Sequence, residues 1–362
     1  MKLDVDVLFN VGGDFELTKD IILSPKHNNI ALFRRNKKYV IFTDTGRSAI
    51  YLALKQIISE KENISAWIPF YCCSTVIQPF VQLGFKINYY SMGYDLDSPF
   101  GLPEKLSDAV ILYIHYFGKE NVSLGNYIKR QKKKGHKFLV IEDMVQTCLS
   151  RNYGKYGDFL IDSLRKFLPV PDGGIVKSNI RMHNTCSSPN ESFISTKIIS
   201  KFIRGYKGNE KVFLDLYEQG EDIINGEITS RKISYISNYL LKRINIKDIQ
   251  SKRIDNWKKL LKCFRTGLIT SDIISPLYNN LNKGDVPIGL PVIVKDGQRD
   301  KFKNYLGKNR IFCAIHWRLN GMEIPNHCSL DVKLSKSILT IPVDHRIDDE
   351  KLDYVIKMIN SY

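Results

Sequence analysis

Residues 109–115 read Ala-Val-Ile-Leu-Tyr-Ile-His, almost wholly apolar over the length of one strand. A strand without polar alternation must be covered on both faces, which is the situation inside a mostly parallel sheet. Its neighbours fit that demand. Tyr39–Thr43, Ala66–Pro69, Phe85–Tyr90, Lys137–Ile141, Phe159–Ser163 and Gly174–Lys177 read as further strands. Ser48–Ser59, Ser74–Leu83 and Leu124–Lys134 repeat apolar residues at helical spacing between them. This alternation predicts an α/β fold with a mostly parallel sheet flanked by helices.

The chain has 362 residues, more than one compact core usually holds. The pattern changes in the second half. Residues 179–226 show Gly, Asn and Ser breaks among basic helical pieces and give no placement. Beyond them Ile246–Phe264 reads as a helix, Ile288–Val294 and Ile338–Pro342 as strands, and Asp348–Asn360 as a closing helix. We therefore expect a large domain over 1–240 and a smaller α+β domain over 241–362.

Apolar residues make up 43% and charged residues 25%, which excludes collagen-like and disordered classes. No run of about 18 apolar residues exists to span a membrane. The acidic start, Met1-Lys2-Leu3-Asp4, has no apolar signal region, so the expected location is cytoplasmic. The seven cysteines form no C-x-x-C pair and no zinc-type Cys/His spacing, so reduced thiols and no metal are expected. The net charge of +16 favours anionic partners. Its densest cluster, Lys129–Lys137, has no interleaved aromatic residues and reads as a solvated helix face, not a nucleic-acid platform.

Polar residues stand where the strands end, the edge at which parallel sheets bind ligands. Thr45-Gly46-Arg47-Ser48 joins the first strand to a helix. The helix start offers free N–H groups and a favourable dipole to a phosphate. Ser48 could add a hydroxyl and Arg47 a charged fork, although Thr and Ser are also ordinary helix caps. Asp143 follows the Phe138–Ile141 run and could pair with a protonated ring nitrogen, or cap the next turn. Lys166 lies among apolar residues ahead of Pro169-Val170-Pro171-Asp172-Gly173-Gly174, which predicts a rigid, partly dry position. A lysine kept from water gives up its proton more readily, as a Schiff-base nucleophile must.

Phosphate turn, strand-edge aspartate and lysine, in that order, resemble the DegT/DnrJ/StrS nucleotide-sugar aminotransferases. Ile68–Thr75 resembles that family's segment carrying a ring-stacking aromatic, and Ile114-His115-Tyr116-Phe117-Gly118 its Val-His-Tyr-x-Gly. Ile141-Glu142-Asp143-Met144-Val145-Gln146 resembles Ile-Glu-Asp-Ala-Ala-Gln, and His316-Trp317 and Leu339–Val343 resemble its C-terminal elements. The resemblance implies the aspartate-aminotransferase fold and pyridoxal 5′-phosphate (PLP). It implies that Lys166 carries the cofactor and that Asp143 binds its ring nitrogen. By the same resemblance Gln146 contacts the phenolate side, and Gly46, Arg47, Ser48 and Ser163 hold the phosphate. Tyr71, or Phe70 one position away, stacks on the ring, and His115 and His316 bind substrate.

The chain also departs from the family. Ile161 stands where its serine is expected, Ser163 lies three residues before Lys166, and Arg47 replaces a small hydroxyl residue. The implied activity is transfer of an amino group, from L-glutamate, to a nucleotide-linked keto sugar for polysaccharide or glycoconjugate synthesis. The implied assembly is a homodimer. The alternatives are another PLP reaction, such as sugar dehydration, and a PLP-binding regulator without turnover.

Overall fold

The computed structural model describes residues 10–362 apart from 35, 61–63, 184, 207–208, 227, 296, 320 and 322. In chain order its strands are β1 (Val11–Gly12), β2 (Tyr39–Thr43), β3 (Ser65–Pro69), β4 (Lys86–Tyr90), β5 (Ala109–Ile114) and β6 (Leu139–Asp143). They continue with β7 (Phe159–Ser163), β8 (Gly174–Ser178), β9 (Ile274–Pro276), β10 (Leu290–Val294), β11 (Ile311–Phe312) and β12 (Ile338–Ile341).

Seven strands form one sheet in the order β2-β8-β7-β6-β5-β3-β4. The five strands from β4 to β7 in that order are parallel, whereas β8 runs antiparallel to both β7 and β2. All six residues of β5 are buried, as the unbroken apolar run requires. Helix Gly46–Glu60 packs Ala49, Leu52 and Ala53 into the core without exposure. The register places Ile114 and Asp143, at the carboxyl ends of β5 and β6, beside Ile161 in the middle of β7. A second row joins Thr43, Gly174 and Ser163. The chemistry-bearing residues thus begin from one edge of the sheet.

The glycine at 174 has a steric cause. A Cβ there would lie 2.1 Å from the Thr45 carbonyl oxygen, so only glycine lets β8 pass beneath the turn that starts helix Gly46–Glu60.

The C-terminal region builds a separate three-stranded antiparallel sheet, β12-β10-β9. Helices Ile246–Arg265, Arg299–Lys308 and Asp349–Asn360 belong to this half. The first described segment crosses to it: β1 pairs in parallel with β11, Val11 against Ile311. Segment 179–226, which had no placement, contains two helices, Glu191–Gly205 and Glu210–Asn225, packed on each other. Among the described residues no helix is long and apolar enough to cross a membrane, and the seven cysteines are free thiols.

Candidate active site

Beyond the sheet edge lies a cavity of about 240 Å³ whose wall includes Gly46, Arg47, Asp143, Gln146, Ser163, Lys166 and His316. Six of these seven come from the first half of the chain and His316 from the C-terminal region, and each is set by a local cause.

Helix Gly46–Glu60 starts directly after Thr45, whose hydroxyl oxygen accepts from the Ser48 N–H at 3.1 Å and so caps the first turn. The N–H groups of Gly46 and Arg47 are left without an acceptor among the described residues. A Cβ at position 46 would come within 3.4 Å of the Ser163 Cβ, so the glycine keeps the cradle between helix start and β7 open. The Arg47 side chain turns elsewhere. Its guanidinium donates to Gln78 Oε1 (3.0 Å), the Ile224 carbonyl (3.2 Å) and Asn225 Oδ1 (2.8 Å). Only its backbone is offered to the cradle. Ser48 also points away, its hydroxyl donating to the Thr229 carbonyl at 2.7 Å beside a separate small cavity.

Asp143 ends β6 and is 5% exposed. One carboxylate oxygen accepts from the Val145 N–H at 2.9 Å. Burial pushes the carboxyl up to about 6, against the pull of that N–H and the charges of His115 and Lys166. The following 3-10 turn, Val145–Thr147, brings Gln146 back to the cavity. Its Oε1 accepts from the Phe117 N–H at 2.6 Å, so its Nε2 is the end left to donate.

Lys166 ends the short turn Leu164–Lys166 after β7. It is exposed, not dry as its apolar neighbours suggest. The Pro-rich loop buries Phe167, Leu168 and Val170 and turns the lysine out between two cavities. It makes no hydrogen bond or ion pair with the described residues, which leaves its amine available.

His316 is half-buried, with Nδ1 at 2.9 Å from Thr340 Oγ1. Burial, with the Lys166 charge, lowers its pKa to about 3, so the ring is neutral at physiological pH.

Three further expected residues lie outside this cavity. Tyr71 is fully buried, and its hydroxyl donates to the His316 carbonyl at 2.6 Å. Phe70 is equally buried, edge-on to Tyr89. The segment after β3 shows Cys73, Thr75 and Val76 to the cavity, and the aromatic side chains in its wall are His316 and Trp317. His115 is 1% exposed and lies on the opposite face of the sheet edge from Asp143. There it meets Glu142 at 2.8 Å, and its Nδ1 accepts from the Asn121 N–H. Strand alternation explains this, because His115 and Ile114 must face opposite ways.

The sequence reading missed Arg165, Glu221 and Ile224, which complete the wall. Glu221 lies on helix Glu210–Asn225 and pairs with Arg165 (3.1 Å) and Lys197 (2.5 Å). The i, i+4 row Phe213, Tyr217, Glu221 was the available signal. Burial raises the Glu221 carboxyl, but Arg165 and Lys197 outweigh it and hold it at about 2. A carboxylate depressed in the folded state stabilises above its unfolded value, and that stability is lost as pH falls through the folded value. Wild type should therefore lose on the order of 2 kcal/mol between pH 4.5 and 2 that Glu221→Gln does not lose. Urea midpoints measured across that range check it, and parallel curves for the two proteins would refute it.

Solved structures share this fold at low identity. The sugar aminotransferase CalS13 from Micromonospora echinospora superposes with a TM-score of 0.65 at 14% identity, over 97% of this chain and 99% of that one. NtdA from Bacillus subtilis, with bound cofactor PMP, gives 0.65 at 14%, over 99% and 88%. A DegT DnrJ EryC1 StrS aminotransferase from Brucella abortus gives 0.59 at 14%, over 94% and 91%. No family model matches the chain, and no curated protein matches its sequence. What these likenesses establish is the aminotransferase fold.

Proposed function

We propose that this chain is a PLP-dependent aminotransferase that moves an amino group from an amino acid, L-glutamate first among the candidates, to a nucleotide-linked keto sugar. The observation that carries the reading is that Lys166, Asp143 and the helix start at Gly46 open into one cavity. The fold supports it, since its neighbours include sugar aminotransferases.

The residues fit PLP by the chemistry of their donors. The Gly46 and Arg47 N–H groups and the Ser163 hydroxyl form an anion cradle that a side chain at 46 would fill. Asp143 is placed for a protonated ring nitrogen and the Gln146 amide for a phenolic oxygen, while Lys166 offers an amine for covalent attachment. When bound, the cofactor supplies the electron-withdrawing ring and carries the amino group between the two substrates. The chain's own residues do the rest. The Lys166 amine moves a proton to and from the donor's α-carbon. The Asp143 carboxylate keeps the ring nitrogen protonated by its charge. Neutral His316 and Trp317 exclude water from the side of the C-terminal region. We read His115 as a positioning residue: its N–H donates to the Asp143 carbonyl at 3.2 Å and its ring locks Glu142, which steadies the end of β6.

The excess of basic residues suits a nucleotide-linked acceptor. A cytoplasmic homodimer feeding polysaccharide or glycoconjugate synthesis, with domains at 1–240 and 241–362, completes the proposal. The test is the visible absorbance of the purified protein with PLP, before and after L-glutamate. The expected result is a long-wavelength band that glutamate shifts to the amine form of the cofactor. A protein that takes up no PLP would overturn the reading. A band indifferent to every amino acid tried would leave the cofactor and remove the transamination.

A further inference from the structure

The segment after β3 was expected to bring an aromatic ring to the cofactor, and the structure puts that ring out of reach. Tyr71 is fully buried, and its hydroxyl is tied to the His316 carbonyl. Its ring packs against those of Tyr116 and Trp317, with centroids 6.0 and 5.1 Å away. Phe70 is equally buried. What the segment shows to the cavity instead is Cys73, the residue immediately ahead of helix Ser74–Gln82. Its Sγ lies 3.0 Å from the hydroxyl oxygen of Thr75, which stands in the same wall. Cys72, one residue earlier, is buried and outside that wall, so the two adjacent thiols differ in access.

A free cysteine is often no more than a small apolar filler. Here the wall around it holds polar groups that lack a partner. Gln146 is 4% exposed, yet its Nε2 donates to no described residue. Asp143 is 5% exposed, and its second carboxylate oxygen accepts from no described residue. Buried polar ends left open in this way mark the seat of a bound group, because burial without a partner is otherwise costly. Cys73 faces the space that such a group fills. None of the other six cysteines lines this cavity, and of those six only Cys186 and Cys263 are half-exposed.

We propose that Cys73 lies against the cofactor's ring where an aromatic was expected, and that it is a modification site: a small electrophile reaches its sulfur in the empty cavity, and the group left there keeps PLP out. The proposal rests on the PLP reading for the identity of the ring. A polarisable sulfur against an aromatic face is a favourable contact, so the ring keeps a partner on that side. With a haloacetamide, the sulfur–carbon bond forms, the carbon–halogen bond breaks, the halide leaves and the thiol proton passes to the buffer. The attached amide then occupies the seat. PLP bound first has the opposite effect and shields the thiol. Occupancy by the cofactor and modification of Cys73 therefore exclude each other, and the chain is sensitive to electrophiles only while it lacks its cofactor.

The probe is iodoacetamide, applied to the purified full chain with and without PLP, and peptide mass spectrometry follows each thiol. Cys186 and Cys263, outside the cavity, are the internal references. With PLP at about ten times its Kd, we expect labelling of Cys73 to slow about 10-fold, since only the empty fraction reacts, and labelling of the references to stay unchanged. Protein labelled while free of cofactor should no longer develop the PLP absorbance band. Cys73→Ala given the same treatment should still develop it, and Cys73→Ser replaces the alanine variant should that one fail to fold by circular dichroism. Three results would each overturn the proposal: a Cys73 that stays unlabelled in the cofactor-free protein, labelling at one rate with and without PLP, or the same loss of the band in treated Cys73→Ala. These failures are distinct from failure of the cofactor reading. A normal band without protection of Cys73 removes this proposal alone, whereas an untreated protein that forms no band removes the cofactor reading and this proposal with it.

Discussion

Lys166→Ala should abolish covalent PLP attachment and reduce turnover by at least about 10³-fold, the scale of losing a proton-transfer group in the reaction. Borohydride treatment and mass spectrometry read the first effect, and single-turnover assays with L-glutamate read the second. The fold should be indifferent. Lys166 is exposed and makes no hydrogen bond with the described residues, so its removal should change stability by no more than about 0.5 kcal/mol. That contrast gives the experiment its force, since a variant can lose all chemistry only if the lysine's role is chemical. A reducible adduct surviving in Lys166→Ala would move the assignment to another lysine. Lys197 and Lys201, both buried in the wall of a neighbouring cavity of about 380 Å³ that Lys166 also lines, would be the first to examine.

Asp143→Asn should act in opposite directions on activity and on stability. Activity should fall by about 10²- to 10⁴-fold, because a neutral amide cannot hold a proton on the ring nitrogen by charge. Stability of the cofactor-free protein should rise. Burial lifts the Asp143 carboxyl to about 6 in the folded chain, above its unfolded value of about 3.9. A folded value raised in this way means the folded state binds the proton more tightly, so stability is greatest below pH 4 and declines as pH rises through 6. At pH 8 the carboxylate should cost about 3 kcal/mol, and the asparagine, which keeps an oxygen for the Val145 N–H, avoids that cost. Cofactor-free Asp143→Asn should therefore melt above wild type at pH 8 and level with it at pH 4. Identical melting at both values, together with normal turnover, would reduce Asp143 to a cap for the turn at Val145.

The strands were legible because periodicity and burial agree in them. β2 and β7 fall on the runs read from the sequence, and most other elements of the sheet differ by one or two residues at an end. Gly46, Asp143 and Lys166 were legible from their places at strand ends and turns, whereas Gln146 and Ser163 came only with the family resemblance; all five line one cavity. Side-chain direction was not legible. Arg47 and Ser48 sit at the helix start as read, but Arg47 finds partners on segment 179–226, which had not been placed, and Ser48 finds one just beyond it at Thr229. The reason is local. Asn190 and Asn209 read as breaks, and they are N-caps, accepting from the Phe193 N–H and from the Lys211 and Val212 N–H groups. The same residue type that ends an element in one context begins one in another.

The pairing of β1 with β11 sets an order of events during synthesis. Val11 meets Ile311 only after some three hundred intervening residues have been made and folded. Closing so long a loop is entropically unfavourable until the intervening chain is compact, so this contact belongs at the end of folding. Translation proceeds from the N-terminus, and the seven-stranded sheet can assemble well before residue 311 leaves the ribosome. The Gly12–Phe15 segment, and His316 in the cavity wall shared with Lys166, come into place only with that last step. A nascent chain could thus acquire its sheet, and with it much of the cradle at Gly46 and Ser163, while still unable to seat a substrate. Closure of the cavity around Lys166 and His316 would then come abruptly, as a step separate from assembly of the sheet.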